Sequence, residues 1–152
     1  MPVNHSERLS IIVDTREQHP FEFDPVRVET IRMALSAGDY SLAGFEPMVS
    51  VERKSLEDYI SSVIKSQQRF LREVEKLAAM PYKCVVVEGD LVDIQQHRYH
   101  SGVHPSAVLG ATMMLLVDFG VPVLFCSNRQ IACAVTEAFL LRAWKRLTKE
   151  PA

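Results

Sequence analysis

Cysteine, glycine and long apolar runs are all scarce in this sequence, and neither sign of charge dominates it. The 3 cysteines, Cys84, Cys126 and Cys133, form no Cys-x-x-Cys pair and sit among apolar neighbours. They read as buried reduced thiols, not as a disulfide framework or a zinc site. With 6 glycines and 8 prolines against 47% hydrophobic and 24% charged residues, disordered, collagen-like and coiled-coil chains are excluded. The longest mostly apolar stretch, Val108 to Val117, contains Gly110 and Thr112 and falls short of the roughly 18 residues that suggest a membrane span. Met1 to Glu7 places no apolar segment after a basic one, so no secretory leader and no membrane partner is expected, and the chain reads as cytoplasmic. A net charge of −2 is not that of a uniformly basic nucleic-acid binder. Any polyanion site must therefore be local.

What is present is an uninterrupted alternation of strand and helix signals over 152 residues, read as one domain, 1–152. That length suffices to bury on the order of 70% of the unfolded surface. Leu9 to Val13 reads as a buried strand. Asp24-Pro25 supplies an N-cap and a first-turn proline for a helix with Val28, Ile31 and Leu35 on one face, ended by Gly38. Asp39 to Ala43 and Met48 to Lys54 read as a hairpin joined through Gly44 to Pro47. Ser55, with Asp58 three positions on, caps a helix that runs to about Ala79 with Ile60, Ile64, Leu71, Val74 and Ala78 inward. Lys83 to Val87 is a further strand, and Gly89 to His104 a long polar loop. Pro105 opens a helix to Phe119 that Gly120 stops. Val121 to Phe125 is the last strand, and Ser127, with Gln130 three later, caps a final amphipathic helix. The fold class is α/β, with a mixed β-sheet flanked by helices.

The chemistry concentrates on one strand. Residues i and i+2 share a face, so Ser50, Glu52 and Lys54 point one way and Val49, Val51 and Arg53 the other. Antiparallel pairing brings Asp39 near Glu52. Two close carboxylates repel unless protonated or neutralised, and a divalent cation with oxygen preference neutralises them. A lysine beside such a cation can position a water or stabilise charge on a phosphate oxygen. Glu-x-Lys alone is a common surface ion pair, and its company decides the reading.

Asp14-Thr15-Arg16-Glu17, Gly38-Asp39-Tyr40 and the run from Val51 to Asp58, Val-Glu-Arg-Lys-Ser-Leu-Glu-Asp, together resemble the catalytic signature of the XPF-type structure-specific endonucleases: Asp-x-Arg-Glu, Gly-Asp, then Glu-Arg-Lys-x-x-x-Asp. The resemblance extends from Ile11 to about Ala143. Arg69-Phe70 with Glu73 is similar to the family's Arg-Phe helix, and His104 to Ala107 and Gly120 to Val123 to its later helix and strand. It implies a restriction-endonuclease-like fold and Mg²⁺- or Mn²⁺-dependent cutting of branched or flapped DNA, with roles in DNA repair and recombination. By position, Asp39 and Glu52 are implied metal ligands, with the Arg53 carbonyl as a third and Asp14 and Glu17 completing the acidic rim. Lys54 would act on the water or the scissile phosphate, Arg16 would contact phosphate, and Asp58 would orient neighbouring groups. Ser66-Gln67 departs from the Gly-Arg pair that related sequences carry before the residue matching Arg69. Better-known members add tandem helix-hairpin-helix motifs and sometimes a helicase, which these 152 residues do not contain. A degenerate, non-catalytic DNA-binding or partner-pairing module is the alternative, as is action on another nucleic acid.

Between Asp14 and Asp58 there are ten acids against five Arg or Lys, which suits a metal and repels phosphate. Lys65, Arg69, Arg72 and Lys76 follow helical spacing, and Arg142, Lys145, Arg146 and Lys149 cluster near the C-terminus. Arg98 and Tyr99 of the long loop are further candidates to reach DNA. His97, His100 and His104 lie nearby without a cysteine partner, and read as loop residues before a zinc site. Phe139, Leu140 and Trp144 read as core, with room for a twofold contact. The expected partners are DNA and either a second copy of the chain or a separate DNA-binding protein.

Overall fold

The structure is a computed structural model and describes residues 8–149. Met1 to Glu7, read above for a leader, lie outside the described residues. Six strands form one mixed sheet, β1 Leu9–Val13, β2 Val28–Arg32, β3 Tyr40–Leu42, β4 Val49–Ser55, β5 Tyr82–Glu88 and β6 Val123–Cys126, in the order β2-β1-β3-β4-β5-β6. β1 runs parallel to β2 and antiparallel to β3, β3 is antiparallel to β4, and β4, β5 and β6 are mutually parallel. Five helices accompany it: α1 Leu56–Ile64, α2 Gln67–Ala78, α3 Leu91–Gln95, α4 Pro105–Phe119 and α5 Arg129–Thr148.

Both faces of the sheet are covered, which is why the central parallel strand β5 reads as an unbroken apolar run. Cys84 and Val86 pack with Ala132, Leu140 and Ala143 of α5 on one face. Val85 and Val87 pack with Tyr59, Phe70, Val74 and Leu115 from α1, α2 and α4 on the other. The cysteines are free, Cys84 and Cys126 are buried, and burial pushes the Cys84 thiol up to about 12. Leu140 is core, and Phe139 and Trp144 are partly buried against it. No described helix is long and apolar enough to cross a membrane.

Four local expectations are corrected. The helix expected after Asp24-Pro25 is a single turn followed by strand β2. Asp24 does cap, its Oδ1 accepting from the Val26 N–H at 2.9 Å, but Val28, Thr30 and Ile31 favour extended backbone and pair along the open edge of β1. The single helix expected from Ser55 to Ala79 is α1 and α2. Ser66 leaves helical geometry at φ −108° and ψ 34°, in a serine- and glutamine-rich stretch of weak helix preference. The loop after β5 contains α3, opened at Asp90, whose N–H donates to the Asp93 carboxylate at 2.9 Å. Asn128, not Ser127, caps the last helix by accepting from the Ile131 N–H at 2.9 Å, while Ser127 Oγ donates to Asp90. The hairpin, the Ser55 cap and Gly120 in left-handed conformation at the end of α4 all stand as read.

Candidate active site

The site is built on the hairpin. Gly38 takes φ +77°, and a Cβ there would lie 1.9 Å from Ser50 Oγ, so only glycine lets this turn close against β4. The turn is pinned on both sides: the Asp39 N–H donates to the Val51 carbonyl and the Asp14 N–H to the Asp39 carbonyl, each at 2.8 Å. Asp39 therefore stands between the end of β1 and the middle of β4, and its Oδ2 accepts from the Arg53 N–H at 2.8 Å.

Strand alternation then delivers the rest. Glu52 and Lys54 project into a cleft of about 380 Å³ that Asp39 also lines, with Lys54 Nζ 3.8 Å from Glu52 Oε1. Lys54 also lies over the Phe70 ring, 5.4 Å from its centre, which fixes the ammonium against an apolar wall. Burial, and next the Asp39 carboxylate, push Glu52 well above the ordinary carboxylate value. Asp39 is raised as well, first by burial and then by Glu17 and Asp14, against the Arg53 N–H and Lys54, which lower it. Two half-buried acids with only one ammonium between them are short of positive charge.

Asp14 behaves differently. Its Oδ1 accepts from the Leu35 N–H at 2.8 Å, and its Oδ2 accepts from Arg16 Nε at 2.8 Å. Burial alone would raise it, but these donors hold it below the ordinary value. Both oxygens are thus taken by protein donors, and among the described residues no group of three or more His, Cys, Asp or Glu side chains is arranged to hold a metal ion. Asp39 and Glu52 are the cleft carboxylates that burial raises.

The remaining residues of the signature divide between two faces. Arg16, Asp58 and Arg69 line the cleft. The Arg53 side chain points to the opposite face, where its Nε lies 2.9 Å from Glu88 and 4.0 Å from Glu17, over the ring of Phe21. Glu17 is consequently not in the cleft lining and acts on Asp39 only at a distance. Lys65 borders a neighbouring pocket and not the cleft. Arg72 is exposed on α2 outside these cavities, and Arg98 pairs with Asp93 at 3.4 Å. Tyr99 corrects the expectation of a loop side chain that reaches DNA. It is buried, stacks on His97 and donates its hydroxyl to the Val103 carbonyl at 2.6 Å.

The sequence reading missed Ser61, Ser62 and Ser66 on the cleft wall and gave Glu73, which lines it, no role there. Their signal is periodic: Asp58, Ser62, Ser66 and then Arg69 and Glu73 recur at three- and four-residue spacing, a polar stripe through α1 and α2 beside their apolar one.

Comparison with known proteins gives the family and the fold. The model of the ERCC4 domain matches residues 13–139. "Putative ATP-dependent RNA helicase MJ1505" of Methanocaldococcus jannaschii is 30% identical over 122 residues, which is 80% of this chain but only 14% of that protein's length. The fold matches XPF from Aeropyrum pernix with a TM-score of 0.72 at 22% identity, over 94% of this chain and 65% of that one. The same protein in complex with DNA matches with a TM-score of 0.72 at 23% identity, over 94% and 68%. A family match across most of its length, on a mixed sheet that shares the fold of XPF, places this chain in the ERCC4-domain family.

Proposed function

We propose that this chain is a Mg²⁺- or Mn²⁺-dependent endonuclease that hydrolyses phosphodiesters in branched or flapped DNA. The observation that carries the proposal is the placement of Asp39, Glu52 and Lys54 in one cleft, with both carboxylates raised by burial and by neighbouring acids. Such a pair fits a divalent cation, because neutralisation by the ion removes the penalty that burial imposes on the charged forms. Asp39 and Glu52 would hold it, with the Arg53 carbonyl beside them. When bound, the ion withdraws electron density from a phosphate oxygen and makes water a better nucleophile near neutral pH.

The chain's own residues do the remaining work. Lys54, held between Glu52 and Phe70, donates to the attacking water or to the phosphate oxygen that gains charge. Arg16 and Arg69 bind phosphate across the cleft, and Ser61, Ser62 and Ser66 offer hydroxyl donors to the same backbone. Asp58 orients these donors from the first turn of α1. A 5′-phosphate and a 3′-hydroxyl are the products. DNA is favoured as substrate because the matched XPF structure includes a DNA complex.

The working unit is a homodimer. β6 is an edge strand, and α4, which packs beside it, exposes Met113, Leu116 and Val117 on one stripe. A second copy related by a twofold axis covers both the open edge and the stripe. The test of activity is a cleavage panel of flap, fork, four-way junction, duplex and single-stranded DNA and RNA, each with Mg²⁺, Mn²⁺ or chelator. At least one branched DNA is cut with metal, and Lys54→Ala and Asp39→Ala cut none of them while keeping the wild-type circular dichroism. Cutting by both variants at the wild-type rate overturns the proposal.

A further inference from the structure

Beside the cleft, and sharing Ser61 with it, lies a second pocket of about 250 Å³ between α1 and the loop that follows α3. Glu57, Ser61 and Lys65 line it from the helix side, and His100, Ser101 and Val103 from the loop side. Ser61 and Lys65 are four residues apart and occupy one side of α1, so the path from one cavity to the other runs along a single helix face.

The loop is built and not slack. His97 is the non-glycine residue with positive φ, 55°, among the described residues, and its ring secures that conformation by stacking on Tyr99 and donating Nε2–H to the Ser101 carbonyl at 2.6 Å. The Val103 N–H donates to Ser101 Oγ at 3.2 Å, and the Arg98 N–H to the Asp93 carbonyl at 2.7 Å. Across the gap, the His100 N–H donates to Glu57 Oε1 at 3.0 Å, which ties the loop to α1 and engages the one acid of the pocket. Beside that carboxylate the lining holds an ammonium, an imidazole and two hydroxyls. That donor set suits a tetrahedral, singly charged oxyanion and offers a nucleobase no flat apolar platform.

We infer that this pocket binds a backbone phosphate of the strand leaving the cleft, next to or one nucleotide beyond the phosphate that is cut, with Lys65 and His100 as its ligands. The inference rests on the nuclease reading above and adds a residue-level determinant of where the strand lies. It also gives the strained His97 turn a purpose, since relaxing that turn would release His100 from α1.

Fluorescence anisotropy on a labelled flap DNA in Ca²⁺, followed by cleavage kinetics in Mg²⁺, tests it. Lys65→Ala is expected to weaken binding about 5- to 10-fold and to lower the slope of log affinity against log salt by about 1. The loss in cleavage falls on KM more than on kcat, His100→Gln shows a smaller loss of the same kind, and Lys65→Arg recovers most of the affinity. A single uncharged methylphosphonate walked along the strand weakens wild-type binding at one position near the cut and has no effect there in Lys65→Ala. If the wild type binds and cuts the flap while both variants match it in Kd, KM and salt slope, this subsite falls and the nuclease reading stands. If the wild type neither binds nor cuts, both fall.

Discussion

The backbone N–H of Arg53 donates to Asp39 Oδ2 at 2.8 Å, while the side chain of the same arginine lies against Glu88 at 2.9 Å on the opposite face of the sheet. One residue thereby fixes the position of a cleft carboxylate without its charge entering the cleft. Removing the guanidinium leaves Glu88 with the more distant Arg129, 3.4 Å away, and loosens the strand segment that holds Asp39. Arg53→Ala is expected to lower stability by about 1–3 kcal/mol and kcat by about 10- to 100-fold with KM little changed. Denaturant unfolding and steady-state cleavage measure the two separately. An unaltered kcat shows that the far-side clamp has no role in positioning.

Gly38 sits where both space and backbone demand glycine. Its Cβ would meet Ser50 Oγ at 1.9 Å, and its φ is +77°. Gly38→Ala is expected to cost about 2–4 kcal/mol and to displace Asp39, which follows it directly. Adding Ser50→Gly relieves the contact but not the torsion, so the double variant recovers part of the stability and not all of it. Thermal unfolding of Gly38→Ala, Ser50→Gly and the double variant gives the comparison, with Ser50→Gly alone setting the cost of the lost Ser50 hydrogen bonds to Ala37 and Tyr40. Full recovery assigns the whole cost to crowding.

Asp14 is an anchor for the chain segment that carries Leu35. Asp14→Ala leaves the buried Leu35 N–H without an acceptor, a loss of about 1–3 kcal/mol, whereas Asp14→Asn keeps a carbonyl oxygen facing that donor. The expected order of stability is wild type, then Asn, then Ala, read by chemical denaturation. Equal stability of Asn and Ala refutes the anchoring role.

How much of this was legible beforehand follows from the range of the interactions involved. The shared face of Glu52 and Lys54 depends on the two-residue period of one strand, and the Asp39 approach depends on the next hairpin, so both follow from adjacent sequence. The β2 segment was misread because a one-turn cap at Asp24 is local, whereas the edge of β1 that claims Val28 to Arg32 is a tertiary feature. Tyr99 is a second such case: a long loop points to DNA contact, and the burial of Tyr99 in the core that α1 and α4 share decides otherwise. Asp14 carries the motif's chemistry in its residue type, but its hydrogen bonds to Leu35 and Arg16 are visible only once the chain has folded.

The exposed stripe of α4 yields a prediction about assembly. Val117 is 77% exposed beside Met113 and Leu116, next to the open edge of β6. Val117→Glu introduces a charge into any twofold contact there, and the variant is expected to run as a monomer in light-scattering chromatography at concentrations where the wild type is a dimer. Its unfolding midpoint at equal protein concentration drops by the loss of the association term. A wild type that is monomeric throughout removes the homodimer and leaves the stripe to a different protein partner.

The coupled acids make a prediction about pH and metal together. Asp39 is pushed up to about 6 and Glu52 to about 8, chiefly by burial, against ordinary carboxylate values near 4 in the unfolded chain. A folded-state value raised above the unfolded one means that the folded form holds its proton more tightly. The stabilisation is therefore complete below about pH 4 and is lost as pH rises through about 6 and then about 8. In chelator, unfolding free energy should fall between pH 5 and pH 9 as this pair ionises, and Glu52→Gln should flatten the upper part of that decline. Mn²⁺ reverses the trend, because the ion binds the ionised pair that alkaline pH creates. At pH 8 it should raise the wild-type midpoint by several degrees and leave Asp39→Asn with Glu52→Gln unmoved. Scanning calorimetry over this pH range, with chelator or with Mn²⁺, carries the whole comparison. A wild type whose midpoint responds to Mn²⁺ no more than the double variant does would remove Asp39 and Glu52 as the ligands, whatever the cleavage assay finds.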